Sequence, residues 1–457
     1  CRAVARRRDV FFMEKINGVI VPSTVAVDQL KEHADGVVSV DGFIHRIREM
    51  TGFSFVILRT MRDEVQCVYS PEFSDFRWRD DIVEGCTVRV TGKVVGSKDR
   101  AGNDRFEIQI HDLKVLSSPA EQMPIVINKK QLDNVPLDTN LNYRPITLRN
   151  PRERAIFKIQ EGIARGFREF LQKNDFTEIR TPKINFAGAE GGANIFKLDY
   201  FGKQVFLAQS PQFYKQTMVS VFERVFEIGP VFRAEHHDTS RHLNEYISMD
   251  FEMGFIDNFT DIMNMETGAL KYIMALLRTE YAKEVALLGA KIPVIDEIPC
   301  IKFMDAKKII TEKYRKNITD FNDFEPEEEQ LMCQYAEKEF GSEFIFVTHY
   351  PSAKRPFYAM DDPADPAYTL SFDLLFRGME VTTGGQRIHD YGEQVAKMRA
   401  RGMNPDDFES YLMLHKYGVP PHGGLGLGLE RLTMNLLGFR NVRCASLFPR
   451  DINRVTP

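Results

Sequence analysis

Between residues 37 and 118 apolar and polar residues alternate in five short runs, VVSVDGFIHRI, FSFVILRT, EVQCVYS, CTVRVTGKVVG and DRFEIQIHDLKVLS, separated by polar turns. Period-two alternation at this length predicts half-buried strands, and five of them suit a small closed barrel of the OB type. Such a barrel either binds single-stranded nucleic acid by stacking bases on aromatic rings or is purely structural. The period then changes. Ile163, Phe167, Phe170 and Leu171 follow helical spacing in a helix predicted over 154–173, and a strand over 177–184, interrupted by Pro182, follows it. Alternation returns at Phe226–Phe232 and again at Tyr246–Met253, predicting two strands joined by a long charged loop. Ile262, Ala269, Leu270, Ile273, Leu276 and Leu277 mark another helix, AKKIITEKYRKN and EEEQLMCQYAEKEFG two more, and Met263, Met265 and Met274 read as core filling. Near the end an apolar strand carries Gly424, Gly426 and Gly428 and runs into a helix opened by Glu430 and Arg431.

Length and composition add boundaries. A chain of 457 residues and 52.6 kDa accommodates one large domain and a smaller one. The pattern divides it into an N-terminal extension (1–36), the barrel (37–118), a Pro- and Asn-rich connection (119–153) and a large α+β domain (154–457). The opening CRAVARRRDVFFMEKINGVI is basic, but Glu14, Lys15 and Asn17 interrupt any signal-peptide core, and the absence of an initiating Met leaves the true start open. No apolar run approaches the ~18 residues of a membrane span. The six cysteines show no metal-ligand spacing, which suits a reducing compartment. A net charge of −5 argues against a uniformly basic surface and leaves room for a local basic face.

Candidate chemistry gathers at a few places. Arg233 and Glu235 share a face by strand periodicity, and Arg241 and His242 sit where the charged loop turns back. Guanidinium and imidazole groups converging with a carboxylate suit a site for a polyanion and a base amino group; an ordinary salt-bridged hairpin reads the same way. Pro211 begins a helix on which Gln212 and Lys215 fall within one turn. Glu380 and Asp373 lie among apolar residues, where a carboxylate needs a salt bridge or a cation. The glycine run is neither a Walker loop nor a dinucleotide fingerprint, since no GK[ST] follows and no acidic residue stands about 20 positions on.

Taken together these elements resemble the signature motifs of class II aminoacyl-tRNA synthetases. FLAQSPQFYKQ (206–216), IGPVFRAE (228–235), TSRHLNEY (239–246), GGQRIHDY (384–391), GVPPHGG (418–424) and FPRDINRVTP (448–457) look like aspartyl-tRNA synthetases of the archaeal and eukaryotic cytosolic kind, in the family's order and over nearly the whole chain. The resemblance implies an N-terminal OB-fold and a catalytic domain on a mostly antiparallel sheet flanked by helices. It also implies a cytoplasmic enzyme that joins L-aspartate to tRNA-Asp through an aspartyl-adenylate, consuming ATP with Mg²⁺.

Roles follow from the same resemblance. Arg233, Arg431 and Glu380 become catalytic: Arg233 toward the α-phosphate, Arg431 toward the γ-phosphate, Glu380 with Thr383 toward Mg²⁺. Glu235 faces the adenine amino group, Arg241 or His242 the outer phosphates, Tyr246 stacks on adenine, and Gly428 lets the nucleotide approach. Aspartate is expected at Glu190, Gln212, Lys215, Asp250, Thr383 and Arg387, with Lys215 and Arg387 on its side-chain carboxylate. Asp250 stands where asparaginyl-tRNA synthetases usually have glutamate, which separates this chain from that closest alternative. Arg48, Phe55, Gln66 and Glu107 are the expected anticodon contacts. Pro182 is expected at the interface of a homodimer, and the family allows membership of a multi-synthetase assembly. Likeness to the eukaryotic group leads to the expectation that tRNA-Asn is refused.

Overall fold

The computed structural model describes residues 18, 20, 22–98, 102, 104–132, 134–186, 194–236 and 238–457, in two units, Cys1–Lys129 and Lys130–Pro457. In the first unit, strands Val37–Met50, Phe53–Arg59, Glu64–Tyr69, Thr87–Lys98 and Asp104–Ser117 close into a barrel in the order first, second, third, fifth, fourth, with the fourth pairing back onto the first. Alternation decides what lies inside. Val56, Leu58, Cys67, Val88, Val90, Ile108 and Ile110 are wholly buried, whereas Phe53, Phe55 and Ile57 point the other way and stay half-exposed.

The second unit is built on eight strands in the order Cys300–Lys302, Phe344–Thr348, Ser371–Phe376, Met379–Gln386, His422–Gly428, Glu245–Gly254, Arg224–Phe232 and Thr177–Glu178. All inner pairs are antiparallel; only the outermost pair at each end is parallel. Helices Pro151–Lys173, Thr260–Thr279 and Leu429–Leu437 contribute Ile159, Ile163, Phe167, Ile273, Leu277 and Leu432 to a core shared with Phe226, Phe251 and Leu425 of the sheet. Gly162 lets two of these helices approach, since a Cβ there would lie 2.7 Å from Leu277 Cδ2. Met263 and Met274 are buried in the same core, and Met265 packs against it. Helices Phe303–Tyr314 and Pro326–Phe340 pack a separate core of Phe303, Ile310, Met332, Ile345 and Tyr350. Among the described residues no helix is long and apolar enough to cross a membrane.

Two local expectations change. The strand expected over 177–184 is two short ones: Thr177–Glu178 pairs with Val225 and Phe226, and Ile184–Asn185 pairs with Phe206 and Leu207 in a separate three-stranded sheet. Pro182, which has no N–H to donate, lies in the break where the chain changes sheets. The connection expected over 119–153 is not a linker throughout. Its second half forms helices Leu137–Asn142 and Arg144–Thr147, and the buried Arg144 donates to the carbonyls of Ser446 (2.9 Å) and Leu447 (3.0 Å) and pairs with Glu153. Asn150, accepting from the amides of Arg152 and Glu153, caps the long helix, which therefore starts at Pro151.

Candidate active site

Above the middle of the eight-stranded sheet lies a cavity of about 700 Å³. Its floor is a cluster of buried charge. Lys215 Nζ donates to Asp250 Oδ1 (2.9 Å) and to the Leu425 carbonyl (2.8 Å) and lies 3.4 Å from Glu252 Oε2. Arg387 Nε donates to Glu252 Oε1 at 2.9 Å, and its NH2 to the Gly424 carbonyl at 2.9 Å. Burial alone would raise the Glu252 carboxyl, but Arg387 and Lys215 hold it below the usual range. Gly424 makes this packing feasible: a Cβ there would lie 2.1 Å from the Phe251 carbonyl oxygen and 2.3 Å from Glu252 Oε2. Its lack of a side chain thus serves the charge cluster, while Gly428 lines the cavity itself.

Behind the floor, Tyr411 donates to Gln216 Oε1 (3.2 Å), and Gln216 Nε2 lies 2.9 Å from His422 Nε2. His422 Nδ1 is 2.9 Å from the Pro420 carbonyl, so its proton sits on Nδ1 and Nε2 accepts. Burial lowers His422 to about 4, which keeps it neutral beside the charged floor.

One wall is the hairpin. Asn244 pins the loop by donating to the carbonyls of Arg233 (2.7 Å) and Glu235 (3.0 Å), and the Arg233 guanidinium lies 5.7 Å over the Tyr246 ring. His242 Nε2 is 3.4 Å from Glu235 Oε2, and Arg241 is paired with Glu329. Glu430 accepts from the Ile247 amide, tying the final helix to the hairpin strand; burial raises this carboxyl to about 8.

The opposite wall depends on an irregularity. Residues 380 and 383 of a regular strand would face opposite ways, but a register shift between Leu374 and Leu375 pairs Glu380 with Leu375 and Thr383 with Asp373. Thr383 Oγ1 consequently donates to Glu380 Oε1 at 2.8 Å, and both line the cavity. Arg431 NH1 approaches Glu380 Oε2 at 3.9 Å. Asp373 is the salt bridge of the two readings open to it, with Arg355 NH2 2.8 Å from its Oδ2; burial still raises its carboxyl to about 6. Among the described residues no cluster of three or more His, Cys, Asp or Glu side chains could hold a metal alone. Glu380 and Thr383 nevertheless offer adjacent hard oxygens, the donors that suit Mg²⁺ when phosphates and water complete its shell.

The cavity thus gathers Gln212, Lys215, Arg233, Glu235, Arg241, His242, Tyr246, Asp250, Glu380, Thr383, Arg387, Gly428 and Arg431 from strands and helices far apart in sequence. Glu190 lies outside the described residues. Sequence reasoning missed Glu252 and Glu329. Glu252 was accessible to it, since alternation places it on the same strand face as Asp250; Glu329 belongs to a helix 88 positions from Arg241 and leaves no local signal.

On the barrel, Arg48 lies opposite Phe55 across one strand pair, Phe53 meets the Phe55 ring edge-on at 5.2 Å, and Gln66 Nε2 donates to Glu107 Oε2 at 2.9 Å. Pro182 is exposed.

Comparison with known proteins agrees with this architecture. Residues 136–452 match the family described as tRNA synthetases class II (D, K and N), and residues 38–116 match the OB-fold nucleic acid binding domain. The aspartate–tRNA(Asp/Asn) ligase of Deinococcus radiodurans is 47% identical over 435 residues, covering 94% of this chain and 98% of that protein. The protein of the same name from Thermus thermophilus is 44% identical over 434 residues, covering 95% and 100%. Among solved structures, asparaginyl-tRNA synthetase from Pyrococcus horikoshii with asparaginyl-adenylate superposes with a TM-score of 0.86 at 29% identity, covering 95% of this chain and 99% of that one. The chain belongs to the aspartyl/asparaginyl family of class II aminoacyl-tRNA synthetases and has aspartate–tRNA ligase activity.

Proposed function

We propose that the cavity activates L-aspartate with ATP, the buried floor binding the amino acid and the two walls the nucleotide. The observation that carries this reading is the floor itself: Lys215 and Arg387, both almost wholly buried, are fixed by Asp250 and Glu252 with geometry suited to a further carboxylate. Lys215 and Arg387 present N–H donors to the substrate's side-chain carboxylate, which accepts at both oxygens, whereas an amide would turn its own NH2 donor toward them. Asp250 Oδ2 has no hydrogen-bond partner among the described residues and is placed to accept from the substrate ammonium. The Gln212 amide, whose Nε2 is also without one among those residues, orients the α-carboxylate.

Activation needs no protein nucleophile. The α-carboxylate oxygen attacks the α-phosphorus, a new P–O bond forms, and the bond to pyrophosphate breaks. Arg233 holds the α-phosphate, Arg431 and Arg241 or His242 the outer phosphates, Glu235 the adenine amino group, and Tyr246 its ring. Mg²⁺, where bound by Glu380 and Thr383, supplies charge neutralisation at the phosphates. In the second step a hydroxyl of the terminal adenosine of tRNA displaces AMP, with Arg48, Phe55, Gln66 and Glu107 reading the anticodon. Arg233→Ala and Arg431→Ala should each abolish aspartate-dependent pyrophosphate exchange in a protein that stays folded; activity within about tenfold of the parent would remove them from the catalytic role.

Beside the expectation that tRNA-Asn is refused stands a second reading. The two relatives described above are both named for tRNA(Asp/Asn), and we propose the same dual charging here. Labelled aspartate with purified tRNA-Asp and tRNA-Asn transcripts decides: charging of tRNA-Asp alone overturns it. Homodimer formation is supported by the small sheet beside Pro182, which leaves Ile184, Phe186, Leu198, Tyr200 and Phe201 exposed. A multi-synthetase assembly has no comparable support.

A further inference from the structure

We propose that Glu329 is a positioning residue for nucleotide binding, holding the Arg241 guanidinium against the wall that carries Glu380 so that Arg241 meets the outer phosphates already oriented. The proposal rests on the role given to Arg241 above.

Glu329 comes from the first turns of helix Pro326–Phe340, outside the sheet, and is only 8% exposed. A carboxylate so buried must be matched by donors. One oxygen meets two of them from different elements: Oε2 contacts Arg241 NH2 from the hairpin loop and accepts from the Glu380 backbone amide at 3.3 Å. A single atom therefore ties the loop bearing Arg241 to the strand bearing Glu380. The anchor is firm because the neighbouring Glu328 accepts from the buried Lys307 (2.8 Å) and from the Glu325 amide (2.7 Å), fixing the start of the helix. Arg241 keeps donors to spare, since a guanidinium has five N–H groups, and it lines the cavity while paired. An arginine on a long loop otherwise loses side-chain freedom when a phosphate arrives, and Glu329 removes part of that cost beforehand. An exposed ion pair would contribute little; this one is largely screened from water on both sides, with side-chain exposures of 19% and 11%.

The test is pyrophosphate exchange by the full-length enzyme, with ATP and aspartate varied separately, for E329A, E329Q, R241A and the double variant E329A/R241A. E329A should raise KM for ATP about tenfold, the scale of one charge-assisted hydrogen bond, and leave KM for aspartate unchanged. E329Q, which keeps the shape and can still accept from both donors, should raise it less. The double variant should be no worse than R241A, because the two side chains act as one unit. If R241A raises KM for ATP while E329A and E329Q do not, or if the two effects add, Glu329 does not position Arg241. A rise in both Michaelis constants together also overturns the proposal, marking Glu329 as a general packing residue. If R241A itself leaves KM for ATP unchanged, the role of Arg241 fails and the proposal with it, a result distinct from the first.

Discussion

Glu266 is a carboxylic acid with nowhere to put a charge. It is 2% exposed on helix Thr260–Thr279, and burial pushes its carboxyl up to about 8; Thr382 beside it pulls the other way and Asp373 adds to the rise. That folded value lies above the ordinary 4.5, so between the two the folded protein holds a proton that the unfolded chain has released. Stability from this site is complete below pH 4.5 and is lost as pH rises through about 8. Glu266→Gln keeps the volume and abolishes the titration. Thermal unfolding of parent and variant should coincide most closely near about pH 5 and diverge toward about pH 9, with the variant the more stable. Glu430 titrates in the same window in both proteins, so the difference isolates Glu266. A constant gap across the range would show that Glu266 is ionised in the fold.

At the scale of elements, the barrel strands turn one face to their own core and the other to solvent, and Phe55, proposed above to meet the anticodon, is on the outer one. Removing a stacked ring costs roughly 1–3 kcal/mol of base binding. Phe55→Ala should therefore slow tRNA charging at limiting tRNA by about tenfold or more and leave pyrophosphate exchange untouched. Equal damage to both reactions would make Phe55 a packing residue. Alternation over most of their length is also why the five barrel strands and the hairpin were legible in the sequence, despite register shifts between Ile44 and Arg46 and between Thr91 and Gly92. Legibility failed where structure departs from one period or joins distant segments. The register shift that brings Glu380 and Thr383 together contradicts regular alternation, and only likeness to a family pointed to the pair. Arg144 sits in a stretch whose composition suggests a linker, because its partners, the carbonyls of Ser446 and Leu447, come from the far end of the chain.

For the whole molecule, the described residues that line the cavity all fall between Asn194 and Val442, within the second unit. A fragment spanning 130–457 should retain aspartate-dependent pyrophosphate exchange and lose most tRNA charging; loss of exchange by a folded fragment would mean that the barrel contributes to activation. The sheet beneath the cavity has a further consequence. An open sheet ordinarily ends in rows of unpaired amides and carbonyls that can recruit strands from other molecules. Here the terminal strands, Cys300–Lys302 and Thr177–Glu178, are three and two residues long, and the barrel is closed. A foreign strand would find only these three and two residues to register against at the two terminal strands of this sheet, which disfavours edge-to-edge pairing there while the side chains above the sheet remain free to do the recognising.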